Sequence, residues 1–205
     1  MKSGRQEALK RKWIAELSTF RLVLRPLELG DAAQVQPLFA QWEVVKYLNN
    51  KVPWPFPEDG VAQYYREVAL PAMGRGEEWH WTLRLKAEPE RVIGAIGLML
   101  SKMDGEGIPQ ENHRGFWLDP EWHGLGLMTE AAVAVNDYWF EVLEFEKLRV
   151  SKAVENGASS RISRKTGMRL VERKMSEYVS GRLETEVWEI TREEWREWKS
   201  SELAK

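Results

Sequence analysis

The stretch Phe116-Trp117-Leu118-Asp119-Pro120-Glu121-Trp122-His123-Gly124-Leu125-Gly126-Leu127-Met128-Thr129-Glu130-Ala131 decides how this chain is read. A strand through Leu118 stops at Pro120, which has no N–H to give to a ladder. A turn carrying Gly124 and Gly126 follows. A helix then begins at once, because Leu127, Ala131, Ala134, Tyr138 and Val142 recur every three or four residues. The two glycines let neighbouring backbone N–H groups face one side together. The helix start adds its own unpaired donors and the positive end of its dipole. Such a turn is an anion site suited to a phosphate or pyrophosphate. The nucleotide fingerprints do not fit. No Gly-x-x-x-x-Gly-Lys-Ser/Thr occurs, and the third glycine of the dinucleotide pattern would fall at Thr129. A merely structural turn stands as the alternative.

Outward from this stretch, the pattern is mixed α/β with no repeat or linker. Upstream, His113 to Leu118 is a short strand behind a loop, Ser101 to Asn112, that holds Gly105, Gly107 and Pro109. Arg91 to Leu100 and Trp79 to Leu85 read as strands. Glu58 or Asp59 opens a helix through Tyr64, Val68 and Met73. Pro53, Pro55 and Pro57 stiffen the loop before it around Trp54 and Phe56. Phe20, Leu22 and Leu24 alternate with Arg21, Val23 and Arg25 as a strand. Asp31 then looks like the N-cap of a helix through Val35, Leu38, Phe39 and Trp42. Downstream, Leu148 to Val154 is a strand, Gly157 to Lys165 a short helix, and Gly167 fits a left-handed cap. Met168 to Met175 and Glu184 to Ile190 make two more strands, with a turn at Ser180-Gly181. Thr191 with Glu194 forms a capping box for a last helix bearing Trp195 and Trp198. Leu9, Trp13, Ile14 and Leu17 give Met1 to Leu17 the spacing of a short amphipathic helix. We expect one domain over residues 1–205, with helical extensions at 1–17 and 191–205.

Composition narrows the function classes. The 205 residues carry 30 basic and 32 acidic side chains, a net charge of −2. That balance lacks the electrostatic footprint of a nucleic-acid binder. There is no cysteine, which excludes disulfides, thiolate metal sites and an enzyme thiol as nucleophile. The three histidines, His80, His113 and His123, are scattered without metal-ligand spacing, so no metal is expected. No apolar run approaches the roughly 20 residues of a membrane helix. No secretory signal is read at the amino end, and the expectation is a cytoplasmic protein without a membrane partner.

Pro120 to Ala131 resembles motif A of the GNAT acyltransferase superfamily, and most closely its RimJ/RimL-type branch. Four further segments agree in order. Leu17 to Pro26 with Asp31-Ala32 resembles that branch's opening strand and helix. Ile93-Gly94-Ala95-Ile96-Gly97-Leu98 resembles its third strand, and Gly115-Phe116-Trp117-Leu118 its fourth. Glu155 to Arg161 followed by Lys165 to Met168 resembles the stretch after its fifth. The resemblance spans roughly Leu17 to Ile190; each piece is short, and five in register are specific. It implies a GNAT fold: a mixed, mostly antiparallel sheet of about six or seven strands, splayed between the fourth and fifth, with helices on both faces.

The resemblance also implies an acetyl-CoA donor and a primary amine acceptor, joined by direct attack. The acceptor is either a peptide or protein N-terminus, or a small amine such as an amino acid, polyamine or antibiotic. Monomer and homodimer remain open. The pantetheine arm would pair with backbone at Phe116, Trp117 and Leu118. The pyrophosphate would sit on N–H groups of His123, Gly124, Leu125, Gly126, Leu127, Met128 and Thr129. Asn156 would bond the pantetheine arm, and Ser159, near the thiol, is the candidate catalytic proton donor, with a water or no particular group as the alternatives. Glu177, on the connection after the sixth strand, is the candidate base. Two departures stand out. Glu121 occupies a motif position usually held by Gln or Arg, and a carboxylate there cannot donate to phosphate. Ser163 stands where many members carry the tyrosine that protonates the leaving thiolate. These departures support the rival reading, a non-catalytic acyl-CoA-binding module.

The remaining candidates divide between packing and chemistry. His80 reads as a satisfied strand residue, and His113 as a base acting through water or a strand residue. Glu130 is either a helix-start acid or a chemical group, and Glu111 and Glu121 read as solvated before they read as a catalytic dyad. Trp54 and Phe56 either rim the acceptor site or pack on the body. Trp195 and Trp198 are expected to dock on the protein's own sheet. Arg161, Arg164, Lys165 and Arg169 either steer a phosphate-rich ligand or form a solvated face.

Overall fold

The computed structural model describes residues 14–100, 102–103, 109–110 and 113–204. The helix expected over 1–17 thus lies mostly outside the described residues, as do Glu111 and most of the 101–112 loop. Where description begins, Leu17–Ser18 is a short strand, β1, not the end of a helix. A turn held by the Thr19 N–H on the Leu22 carbonyl (2.9 Å) folds it back on β2, Leu22–Pro26, with Leu17 opposite Leu24.

From there β3 (Glu78–Leu85) and β4 (Gly94–Met99) extend the sheet. A two-strand ladder of β5 (Lys102–Met103) and β6 (Pro109–Gln110) precedes β7 (Arg114–Leu118). The order β1-β2-β3-β4-β7 is antiparallel throughout. A second antiparallel sheet has the order β8-β10-β9, built from β8 (Lys147–Ala153), β9 (Arg169–Tyr178) and β10 (Gly181–Thr191).

Helices cover both faces of the larger sheet. α1 (Ala32–Phe39) is followed by α2 (Trp42–Val45), so the helix expected through Trp42 breaks at Ala40 and Gln41. Asp31 makes no N-cap bond. Its buried carboxylate instead accepts from the Glu28 N–H (3.0 Å) and pairs with buried Arg84, and a 3-10 turn, Leu29–Asp31, leads into α1. α3 (Gly60–Tyr64) continues through a π-helical stretch, Tyr65–Ala69, into α4 (Leu70–Gly74). α5 (Leu127–Asp137) runs on into a second π-helical stretch, Tyr138–Val142. α6 (Gly157–Lys165) has the expected bounds, and Gly167 beyond it has φ +73°. α7 (Arg192–Leu203) opens on the Thr191/Glu194 capping box.

Two apolar clusters result. The larger joins Trp79, Trp81, Ile96 and Leu98 of the sheet to Ala131, Val135 and Trp139 of α5 and its extension, and to Trp188 and Ile190 of β10. The smaller joins Leu27, Val35, Val61, Tyr65 and Val92. Phe116 packs into the first and Trp117 into the second. Successive strand residues point to opposite faces, so the clusters lie on either side of the sheet. Trp195 is fully buried against Phe140 and Trp198, and its indole donates to Asp137 (2.9 Å). The last helix therefore docks on its own chain, as expected. Among the described residues no helix is long and apolar enough to cross a membrane.

The two sheets are joined at the start of β7. The His113 N–H donates to the Arg149 carbonyl (2.8 Å), and the Arg149 N–H donates to Nδ1 of His113 (3.0 Å). Among the described residues no ladder joins β7 to β8 beyond that junction. The expected splay is thus a complete division of the sheet, and it falls between the fourth and fifth of the seven strands read in the sequence.

Candidate active site

Between β7 and β8 lies a cleft of about 1330 Å³. Its walls are β7, the turn from Trp122 to Thr129, the Val150–Lys152 segment of β8 and the start of α6. Its other end is formed by residues 43–51 and by Lys174 to Tyr178 of β9. That end is stitched closed: the Val179 N–H donates to Leu48 (3.0 Å), the Ser180 N–H to Lys46 (3.1 Å), and Asn49 bridges to Tyr178.

The β7 edge offers backbone to this cleft. The Met99 N–H bonds the His113 carbonyl and the Asp119 N–H bonds the Ile93 carbonyl, both at 2.9 Å. In an antiparallel ladder those bonds assign Gly115 and Trp117 to β4 and turn the peptide groups of Arg114, Phe116 and Leu118 the other way. The Phe116 N–H and carbonyl therefore face the gap. Trp117, expected to pair with a ligand through its backbone, has those groups engaged with Ala95. The Leu118 carbonyl is occupied as well. Nε2 of His123 lies 2.9 Å from it, and a carbonyl only accepts, so Nε2 carries the proton. That bond commits Nε2 of His123 to the protein and away from a phosphate.

The glycine turn presents donors instead. The Trp122 and His123 N–H groups close a 3-10 turn, Pro120–Trp122, on Asp119 and Pro120. His123 thus drops out of the expected row of amides. The amides from Gly124 to Thr129 donate to no protein group among the described residues. Gly124 and Gly126 both have φ +78°, a left-handed conformation that lets these amides turn outward together. All the expected phosphate residues border the cleft except Leu125, whose side chain is exposed. Arg21 donates to the Leu125 carbonyl (2.9 Å), and Glu130 accepts from the Arg21 N–H (2.7 Å), from its Nε (2.8 Å) and from Thr19. Burial works to raise the Glu130 pKa, but the bonds from Thr19 and Arg21 outweigh it and hold the carboxyl below its usual range. Glu130 is thus a clamp between the β1–β2 turn and the start of α5. Glu121 points out of the cleft and pairs with Arg91 at 2.6 Å, which keeps its charge off the amides.

α6 supplies the facing wall. Oδ1 of Asn156 accepts from the Ser159 N–H (3.2 Å) and caps the helix. Only its amide N–H groups remain for a ligand. Ser159 borders the cleft and is 8% exposed. Arg161 and Lys165 also border it, whereas Arg164 lies over the Trp188 ring and Arg169 pairs with Glu189 (2.7 Å) and Glu194 (3.0 Å).

Glu177 borders the cleft too, but within β9 and not on the connection after it. Its carboxylate is more than half exposed and lies 3.8 Å from Arg182. His113 does not border the cleft. Its ring stacks on Trp139 (5.2 Å), and burial, helped by nearby Lys147, pushes its pKa down to about 4. His80 bonds Glu78 (2.7 Å), as a satisfied strand residue should. Phe56 packs on Phe39 (5.0 Å) and Trp54 on Trp42 (5.3 Å), so neither rims the cleft.

Two buried cations were not anticipated. Lys152 and Arg114 are 5% and 3% exposed and both border the cleft. The sequence held a signal: each occupies an inward position of a strand whose neighbours two and four residues away are apolar, Val150 and Leu148 in one, Phe116 and Leu118 in the other.

A model described as "Acetyltransferase (GNAT) domain" matches residues 21–169. The "Probable N-acetyltransferase YjcK" of Bacillus subtilis is 31% identical over 153 residues, covering 71% of this chain and 79% of that relative. Among solved structures, RimJ of Mycobacterium smegmatis in complex with CoA-disulfide is similar with a TM-score of 0.72 at 18% identity, over 89% of this chain and 90% of that one. The spermidine N-acetyltransferase of Vibrio cholerae, with CoA and spermine, has a TM-score of 0.68 at 19% identity, over 85% and 98%. The division of the sheet, the cleft it leaves and the family match over most of the chain converge: this protein belongs to the GNAT acetyltransferases and is an acyltransferase enzyme.

Proposed function

We propose that this enzyme transfers an acetyl group from acetyl-CoA to a primary amine by direct attack, with an exposed peptide or protein N-terminus as the first candidate acceptor. The carrying observation is the row of unengaged amides from Gly124 to Thr129 at the start of α5, opening on a cleft between two parted strands. Acetyl-CoA supplies the activated thioester. The amides from Gly124 to Thr129 bind the diphosphate, with Arg161 and Lys165 adding positive charge along the same wall. The Phe116 carbonyl and N–H, with the Asn156 amide, hold the pantetheine arm. A β7 N–H, that of Phe116 or Leu118, stabilises the negative oxygen that develops on attack. Ser159 sits beside the thiol. Glu177, at the solvent-facing end, receives the incoming ammonium.

Holding amine and thioester in one cleft contributes several kcal/mol to catalysis without a strong base. Small amines, including polyamines, form the second acceptor class. Calorimetry with acetyl-CoA, followed by thiol release over a free-N-terminal peptide, spermidine and an aminoglycoside, tests the proposal. Micromolar binding with turnover of at least one amine is expected. Ser159→Ala should slow turnover at similar CoA affinity, and Glu177→Gln should alter its pH dependence. Binding without turnover on any amine would leave an acyl-CoA-binding module instead.

A further inference from the structure

Lys152 is a buried lysine at the cleft wall. It stands on β8 with Leu148 and Val150 on the same face, and both are almost wholly buried. Among the described residues no carboxylate comes within ion-pair distance of it. Glu186 is directly across the ladder, but its carboxylate accepts from Ser160 (2.8 Å), Trp188 (3.0 Å) and Arg173 (3.2 Å). Nζ of Lys152 instead donates to the Ser159 carbonyl (3.2 Å) and to the Ser163 hydroxyl, both on α6.

The charged groups that face Lys152 are Arg114 from β7 and Glu186 from β10. Arg114 is itself buried without a carboxylate: it donates to Asn136, and its Nε has no partner. Burial lowers the Arg114 pKa only to about 10, so the guanidinium remains charged at neutral pH. Of two cations forced together in a dry place, the lysine is the one whose proton can be released, since a guanidinium keeps its own. Burial first, then the Arg114 charge, pull Lys152 well below the ordinary lysine range, against a smaller opposing pull from Glu186. A neutral ε-amine has two N–H groups and one lone pair. In that form the Ser159 carbonyl and the Ser163 hydroxyl take both N–H groups and leave the lone pair for a proton, on a side chain that borders the cleft with Ser159.

We propose that Lys152 is a catalytic residue of the acetyl transfer, its ε-amino group accepting the proton released by the attacking amine and returning it to the coenzyme A sulfur. The proposal rests on the acetyl-transfer reading above. As the C–N bond forms and the C–S bond breaks, the electron pair of the broken bond stays on sulfur. The proton leaves the new amide nitrogen for Nζ and passes from Nζ to the thiolate, so Lys152 ends each turnover as it began. It supplies the proton that a tyrosine in place of Ser163 would otherwise give.

The test begins on the full-length protein without ligand, labelled with ε-13C lysine and titrated by NMR. One resonance, absent from Lys152→Arg, should titrate well below the other lysines. Thiol release with the best amine of the panel is then followed against pH. Lys152→Met should lower the rate about 100-fold and change the acidic limb of the profile, leaving only the part set by the acceptor amine and Glu177, with the acetyl-CoA Kd within about threefold of wild type. A Lys152 resonance that titrates with the other lysines overturns the proposal, and it decides the matter even if Lys152→Met fails to fold. So does a variant with an unaltered rate and profile while the wild type turns over. If the wild type binds acetyl-CoA but acetylates no amine, the broader reading falls and this one with it.

Discussion

Glu130 illustrates how one side chain connects fold to site. It sits in the first turn of α5, where a carboxylate already favours the helix dipole. Its larger effect is to hold Arg21, which in turn holds the Leu125 carbonyl between the two glycines. The turn is thereby fastened from outside the cleft while its amides stay free inside. Glu130→Ala removes bonds from Thr19 and from two atoms of Arg21. Because Arg21 is 41% exposed and screened, we expect a loss of only about 1–2 kcal/mol of stability. We also expect weaker acetyl-CoA binding, measured by calorimetry. A variant that is destabilised but binds acetyl-CoA unchanged would mean the clamp serves the fold alone.

At the scale of elements, the glycine turn and the start of α5 act as one unit. A Cβ on Gly124 would meet nothing within 4 Å, so space does not require glycine there. The positive φ does, at about 1–2 kcal/mol for most other residues. Gly124→Ala therefore measures backbone strain. Gly124→Asp adds a carboxylate beside the amides and should cost acetyl-CoA at least about tenfold more affinity than Gly124→Ala, because like charges face each other where the site is built for an anion. Equal affinities in the two variants would remove the diphosphate from this turn. The unit is legible in the sequence, since proline, two glycines and the apolar periodicity of α5 are all local. Its departures are not. The His123 ring is held by the Leu118 carbonyl, and the Trp117 peptide by β4, through contacts between segments that no local pattern encodes.

Across the whole molecule, the two sheets hinge on His113 and Arg149. Nδ1 of His113 must stay unprotonated to accept the Arg149 N–H. The folded pKa of about 4 lies below the roughly 6.5 of an unfolded chain, so between these values the unfolded state binds the extra proton. Stability is therefore full above pH 6.5 and falls with acidification toward pH 4. The loss attributable to His113 between pH 7 and pH 5 is about 2 kcal/mol. Urea midpoints over that window should fall more steeply for wild type than for His113→Phe. Parallel slopes would clear the junction of acid sensitivity.

By itself the sequence determined the seven main strands, the bounds of α6, the capping box of α7 and the glycine turn before α5, because periodicity, proline, glycine and cap residues act over a few positions. It also carried the five short segments by which the family could be read. Tertiary structure alone decided that Asp31 pairs with Arg84 and closes the turn before α1 without capping α1 itself, and that Glu121 is turned to Arg91. It alone brought Lys152 beside Arg114 at the parting of the sheets. Those outcomes depend on which distant groups share a dry space, and burial and charge are properties of the packed molecule, set only when the two sheets close on α5 and α6.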